Sequence, residues 1–393
     1  MDFNIGNKPV GKQHPVFFIA DIASNHCGDL VKAKELIHAC AESGVDAVKM
    51  QNFSAETIVS DYGFKTLGNV KTHQSAWKTS VFDSYKAASI PFEWTLELKD
   101  LTENLGMAYF TSPYSIELVH AVAPYVAAFK LGSGDITWHE EIATMATYDK
   151  PLLIATGATT MEEVIMAMDV ALKHSQQVLL MQCNTNYTAK HGEPEELTRE
   201  RFASINLKVL DTYAGYFPGV ALGLSDHTHG SLTVLGAVGL YDCCAVEKHF
   251  TLDSSQVGQD HPFSMMPQEW QKMVDETAAL KVQLQIDMSF EERLNLTKDA
   301  VDRPDYLMLA IGDGVKKLQA NEMNTVIVQR RAIRAARSLQ VGEQLRHEDL
   351  VVLRPCPKDA FPPFQIDQLL GKSLAQPVAL GEHIQQQHLA ETI

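Results

Sequence analysis

Two lysines stand inside apolar runs, Lys49 in AVKM (47–50) and Lys130 in AFKL (128–131). Burying an ammonium without an anion is costly, so both point to an anionic partner held inside the fold. A second signal is GLSDHTHG (223–230), where an apolar run ends abruptly in Ser225, Asp226, His227, Thr228 and His229. Polar groups end other apolar runs as well: Asp21, Asn25 and His26; Gln51 beyond Lys49; Thr111 and Ser112; Ser133 and Asp135 beyond Lys130; Thr156; Gln182, Asn184 and Tyr187; Glu247, Lys248 and His249. Taken singly, most have an ordinary explanation. A strand-end Thr or Ser is usually a helix cap, and an isolated His is more often structural than a ligand. Acid–base or metal chemistry requires that these ends be brought to one place.

The elements that carry them suggest how. The apolar runs are PVFFIAD (15–21), DAVKMQ (46–51), MAYFTSP (107–113), VAAFKLGSGD (126–135), PLLIATG (151–157), VLLMQCN (178–184), VALGLSDH (220–227) and CCAVEKHF (243–250). Their hydrophobicity is continuous rather than alternating, as in parallel strands buried on both faces. Helical patterns separate them. LVKAKELIHACAESG (30–44) has apolar residues at helical spacing and a Gly stop. Thr160 and Glu163 form a capping box for a helix through residue 173, and Pro267 opens another. Strand and helix repeated in this way predict an α/β fold, a (β/α)8 TIM barrel, whose chemistry sits where the strands end.

The 393 residues suffice for this barrel and a small second domain. The expected division is a barrel domain over 1–284, a linker over 285–324 and a second domain over 325–393. The linker begins with an acidic helix that Ser289 and Glu292 can cap. The second domain contains a repeat, VGEQLRHEDL (341–350) and LGEHIQQQHL (380–389), both fitting GE-x-[LI]-x4-L. Arg330, Arg331 and Arg354 are either surface charges or an anion clamp offered to the barrel. The net charge of −16, with no basic block, argues against nucleic acid and anionic membrane as partners. No apolar run has membrane-span length, no signal peptide is evident, and the six cysteines lack CxxC spacing. A cytoplasmic protein with reduced thiols is expected.

Several stretches together resemble one family: FNIGNKPVG, IADIASNHCGD, AVKMQ, FTSPY, FKLGSGD, ATGA, MQCNTNY, LGLSDHT, VEKHFT, VGQDHPFSM and VLRP. The chain resembles the bacterial sialic acid (N-acetylneuraminate) synthases over nearly its whole length, and the C-terminal repeat resembles their antifreeze-like (SAF) domain. The resemblance implies condensation of phosphoenolpyruvate with the open-chain aldehyde of an N-acetylhexosamine, typically N-acetylmannosamine, giving a nonulosonic acid and phosphate. It implies a divalent metal, Mn2+ or Mg2+, on His227 and His249. Phosphoenolpyruvate would be held by Lys49 and Lys130 with Thr111, Ser133, Thr185 and Ser225. Asp21 would stabilise the cationic centre and activate water. Gln51, Tyr187, Asp260 and Arg354 would face the acceptor, with Asp260 also counted among the catalytic groups. His229 and His261 read as loop residues. The resemblance further implies a domain-swapped homodimer in which each small domain covers the partner's barrel.

Four positions depart from the family pattern. Asp21 and Asp135 stand where Glu is usual, Ala155 stands where Ser is usual, and Tyr187 is followed by Thr188 rather than Pro. These keep other acceptors open, such as the 2,4-diacetamido-trideoxyhexoses of legionaminic and pseudaminic acid synthesis. Two further readings are a Schiff-base aldolase using Lys130 or Lys49 and a sugar-binding protein without turnover.

Overall fold

The computed structural model describes residues 2–68, 74, 79–187, 192–256 and 258–390. Eight parallel strands close into one barrel: β1 (Phe17–Asp21), β2 (Ala47–Asn52), β3 (Ala108–Pro113), β4 (Phe129–Leu131), β5 (Leu152–Ala155), β6 (Val178–Cys183), β7 (Ala221–Asp226) and β8 (Ala245–His249). Nearly every strand residue is buried, as expected for strands packed on both faces. Closure pairs β8 with β1, so Asp21 lies beside both His249 and Lys49.

The helices follow local signals. In α1 (Leu30–Glu42) the Asp29 carboxylate caps the first turn by accepting from Val31 N at 2.8 Å. Further along come α2 (His139–Ala146) and α3 (Met161–His174). The Thr160–Glu163 capping box on α3 forms as expected, with Thr160 N donating to Glu163 Oε2 at 2.9 Å. The helix α4 (Leu232–Tyr241) is different, because Thr233 through Tyr241 are all buried. A helix apolar on every side needs a cover. The cover comes from α6 (Phe290–Ala300) and α7 (Pro304–Ile311), which follow α5 (Pro267–Gln283). Gly239 and Gly236 allow the close approach: a Cβ on Gly239 would fall 2.1 Å from Thr297 Oγ1, and one on Gly236 would fall 2.8 Å from Leu307 Cδ1. The first half of the expected 285–324 linker is therefore an ordered part of the barrel's outer layer, because it completes the burial of α4.

The C-terminal unit is built on an antiparallel ribbon of β9 (Ala332–Ala335) and β10 (Leu350–Leu353). Its repeat makes the same turn twice. Gly342 and Gly381 adopt left-handed φ of 84° and 79°. The following glutamates accept from the backbone N–H three residues back, Glu343 from Gln340 at 2.7 Å and Glu382 from Ala379 at 2.9 Å. Leu345 and Ile384, at equivalent positions, meet in one small core.

This unit sits over the mouth of its own chain's barrel. Ser60 N donates to Arg354 O at 2.8 Å, and Arg354 N donates to Ile58 O at 3.0 Å. Arg331 is fully buried: its Nε meets Asp135 Oδ1 at 2.5 Å, and its other nitrogens donate to the carbonyls of Thr57, Val352 and Tyr114. These contacts tie the unit to the barrel mouth within one chain. Arg330, Arg331 and Arg354 are all buried, so the surface-charge reading fails for each.

The docking layer holds one unpaired acid. Glu141, on α2, is buried and neither carboxylate oxygen has a hydrogen-bond partner. Burial, reinforced by Asp135, raises its pKa well above the ordinary 4.5 despite the opposing Arg331 and Arg354. The folded state therefore binds this proton more tightly than the unfolded state. Its stabilising contribution is full below pH 4.5 and is lost as pH rises through the raised value. Glu141→Gln is expected to match the wild type in thermal unfolding below pH 4 and to gain stability over it progressively above pH 5. A constant difference across that range would refute the assignment.

Candidate active site

A cleft opens at the C-terminal ends of the barrel strands beneath the lid. Of the residues expected from the sequence, Asp21, Lys49, Gln51, Lys130, Ser133, Tyr187, Ser225, His227, His249, Asp260 and Arg354 all line it. Thr111 and Thr185 stand behind its wall. Thr111 Oγ1 donates its one proton to Asn52 Oδ1 at 2.7 Å, with Met50 O also near at 3.0 Å, and Thr185 is bound to Glu322. Thr188 lies outside the described residues.

Strand parity decides which polar group faces inward, since successive side chains point to opposite faces. Lys49 and Gln51 share one face of β2. Glu247 and His249 share one face of β8 and line the cleft, whereas Lys248 points away. Lys248 Nζ is satisfied by Asp226 Oδ2 and Thr228 O, both at 2.6 Å, in a buried structural pair behind the strands. Glu247 is the site residue that the sequence reading left without a role. Its Oε1 accepts from Lys130 Nζ at 2.7 Å and lies 3.6 Å from Lys49 Nζ. Parity with His249 is the sequence signal that could have found it.

Charge in the cleft is concentrated and paired. Lys49 Nζ donates to Asp21 Oδ2 at 2.6 Å, and Gln51 Nε2 donates to the same oxygen at 3.0 Å. Ala23 N holds the other Asp21 oxygen at 3.0 Å. Burial alone would raise the Asp21 pKa, but the charges of Lys49 and His249 outweigh it and hold the carboxyl below its ordinary value. For Lys49, burial favours the neutral amine, and the charges of Asp21 and Glu247 more than reverse this, so its pKa is raised. Asp21 is thus a charged, oriented carboxylate. In the loop after β8, Asp260 Oδ2 accepts from Ser24 N at 3.1 Å and from Ser24 Oγ.

The two histidines lie with ring centres 5.3 Å apart. His227 Nδ1 faces Asn184 O at 3.0 Å. A carbonyl only accepts, so Nδ1 carries the proton and Nε2 keeps its lone pair. Burial and the neighbouring His249 lower the His227 pKa to about 3, which keeps the ring neutral. His249 Nδ1 is buried without a partner, and its Nε2 lies 3.6 Å from Asp21 Oδ2. Imidazole nitrogens suit a divalent transition metal. Among the described residues, no group of three or more His, Cys, Asp or Glu side chains is arranged to hold a metal ion. An ion on this pair would therefore have two protein nitrogens and would complete its shell from water and substrate.

Buried ammoniums, a charged carboxylate and two adjacent imidazoles at the mouth of a (β/α)8 barrel define an enzyme site for an anionic substrate. Residues 36–287 match the NeuB family and residues 330–390 match the SAF domain. The N,N'-diacetyllegionaminic acid synthase of Legionella pneumophila is 31% identical over 98% of this chain and 97% of its own length. The pseudaminic acid synthase of Campylobacter jejuni serotype O:2 is 26% identical over 97% of this chain and 98% of its own. The crystal structure of the Bacillus subtilis spore coat polysaccharide biosynthesis protein SpsE covers both chains completely, with a TM-score of 0.76 and 26% identity. The chain belongs to the NeuB family and, with it, to the phosphoenolpyruvate-dependent transferases.

Opposite effects are expected from the two ends of one ion pair. Lys130→Met removes a counter-charge and leaves Glu247 to draw on Lys49 alone, so phosphoenolpyruvate affinity should fall at least about tenfold. Glu247→Gln removes competing negative charge, so affinity should rise by a few-fold, of order 1 kcal/mol for a charge at this range. Calorimetric titration of both variants checks this. A loss of affinity in Glu247→Gln would show that the carboxylate orients the lysines rather than competing for them.

Proposed function

We propose that this enzyme condenses phosphoenolpyruvate with the open-chain aldehyde of an N-acetylated amino sugar, releasing phosphate and a nonulosonic acid. The observation that carries this reading is the inward-facing set Asp21, Lys49, Lys130, His227 and His249 under a lid that supplies Arg354. Lys49 and Lys130 bind the carboxylate and phosphate of phosphoenolpyruvate, with Ser133 and Ser225 as hydroxyl donors. Ser133 Oγ already accepts from Gly157 N at 2.8 Å, which leaves its proton free to donate to an anion. Thr111 and Thr185 support this pocket from behind its wall. Ala155 brings no hydroxyl to it, so the serines on either side carry that load.

A divalent ion, Mn2+ or Mg2+, on His227 and His249 would polarise the aldehyde oxygen as a Lewis acid when bound. The enol-ether carbon attacks the aldehyde carbon, forming the new C–C bond as the aldehyde C=O π pair moves to its oxygen and leaves cationic charge at C2. Water adds at C2, and one of its protons passes by way of the oriented Asp21 carboxylate to the new sugar alkoxide. The C2–O bond to phosphate then breaks as the C2 hydroxyl becomes the ketone and its proton leaves with the phosphate. Asp21 is shorter than a glutamate, and Lys49, Gln51 and Ala23 N hold both its oxygens.

Gln51, Tyr187 and Asp260 meet the sugar. Asp135 is engaged with Arg331 and with Arg354 Nη2 at 3.0 Å, so it acts on the acceptor through Arg354. Among acceptors, the whole-length similarity to a diacetyllegionaminic acid synthase favours a 2,4-diacetamido-trideoxyhexose over N-acetylmannosamine. The ion pairs on both lysines speak against a Schiff-base aldolase, which needs a neutral amine. Among the described residues no helix is long and apolar enough to cross a membrane. A cytoplasmic homodimer remains part of this reading.

The test is phosphate release from phosphoenolpyruvate with Mn2+ across N-acetylmannosamine, its 6-phosphate and the two diacetamido-trideoxyhexoses. Release with one diacetamido sugar, abolished by His227→Ala and by EDTA, is the expected result. Release with no acceptor present, or silence across the panel while phosphoenolpyruvate binds, would sink it. Arg354→Ala should raise the acceptor KM at least about tenfold, as for loss of a buried charged contact, and leave phosphoenolpyruvate affinity within about twofold. A matching loss for both substrates would show that the lid, and not one contact, had failed.

A further inference from the structure

Between the stretches matched by the two family models lies a segment that neither covers, residues 288–329. Its last part crosses the ends of β5 and β6 and is stitched to them. Ala320–Glu322 forms a single 3-10 turn closed by Gln319 N on Glu322 Oε2 at 3.1 Å. Asn321 Nδ2 donates to Asn184 Oδ1 at 2.7 Å, and Asn184 Nδ2 returns a bond to Asn321 Oδ1 at 3.3 Å. Glu322 is buried, and its Oε1 accepts from Ala158 N at 2.7 Å, Thr185 N at 3.0 Å and Thr185 Oγ1 at 3.2 Å. A carboxylate so deep in a protein needs a purpose beyond anchoring a connection, since burying it is costly.

The Thr185 bond supplies that purpose. The N–H of Thr185 and the C=O of Asn184 belong to one peptide unit, which is planar. Fixing the N–H direction fixes the C=O direction on the opposite edge. That carbonyl is the group facing His227 Nδ1 at 3.0 Å. A charged acceptor on the N–H side also polarises the peptide and strengthens its carbonyl as an acceptor.

We propose that Glu322 is a positioning residue for His227. By clamping the Asn184–Thr185 peptide it holds the imidazole in the Nδ1–H form, so that Nε2 faces the cleft as the ligand nitrogen. Only the last step, the ligand role of Nε2, rests on the function proposed above. Partners that orient a metal-bound imidazole typically change metal affinity by 10- to 100-fold when lost.

The test uses the full-length, metal-free protein in three variants. Glu322→Gln keeps an acceptor oxygen at the same reach. Glu322→Asp keeps the charge but falls a methylene short. Glu322→Ala removes both. Histidine-15N-labelled protein is examined by NMR, with His227 assigned by the signals missing in His227→Ala, and Mn2+ affinity is titrated in parallel. The expected result is a protonated Nδ1 and an unprotonated Nε2 in the wild type and in Glu322→Gln. In Glu322→Asp and Glu322→Ala a mixture of tautomers is expected, with Mn2+ affinity at least about tenfold lower. If Glu322→Ala does not fold, Glu322→Asp carries the same comparison. A folded Glu322→Asp with the wild-type tautomer would overturn the proposal, whatever its Mn2+ affinity. Wild-type protein that binds no Mn2+ would instead overturn the metal reading, while the tautomer comparison would still judge Glu322.

Discussion

Inside the mouth of this barrel, ammonium and carboxylate groups are buried together, and neither sign could be there without the other. Lys49 and Asp21 are each about 3% exposed and meet at 2.6 Å, and Lys130 meets Glu247 at 2.7 Å. Removing one member of such a pair is strongly destabilising, because it strands the other charge away from water. The pairing therefore constrains the strands as well as the substrate. β1, β2, β4 and β8 must keep a register that brings these four side chains to one level. The closed barrel does this by setting Asp21 beside Lys49 on one neighbouring strand and beside His249 on the other. Because each ammonium arrives with its own carboxylate, an anion that binds here must share the lysines with Asp21 and Glu247.

Around this set, the lid and the connecting segment act on the same few loops. Asp135 leaves the end of β4 and is straddled by Arg331 and Arg354 from the C-terminal unit. Glu322 reaches the loops after β5 and β6 and takes up three of their donors. Most of these contacts set a charged group against buried partners. Glu141, in the same layer, has both carboxylate oxygens buried without a hydrogen-bond partner. Interfaces of this kind transmit small geometric errors, because an unsatisfied buried group has no cheap alternative partner.

Much of the architecture was legible from local signals. Continuous apolar runs marked all eight strands, and the Thr160–Glu163 and Ser289–Glu292 boxes formed where expected. The lysines were informative because an ammonium in an apolar strand has few innocent explanations. Other features were not legible locally. The helices that continue beyond the Ser289 cap pack where they do because α4 has no polar face and needs a cover. Arg331 finds its partners at the barrel mouth, far away in sequence. Glu247 stood in the ring of strand ends without a role, and its face of β8, shared with His249, sets it toward the cleft.

What the sequence determined by itself is whatever depends on neighbours along the chain: strand and helix periods, caps, the twin left-handed glycines of the repeat, and the chemical types that end each strand. The tertiary structure decided which of those groups meet. Lys130 and Glu247 are 117 residues apart, Thr185 and Glu322 are 137 apart, and Asp135 and Arg354 are 219 apart. No local rule specifies such pairs, because they exist only after closure of the barrel and docking of the lid bring distant backbone to hydrogen-bonding distance, where burial makes any unpaired charge too costly to keep.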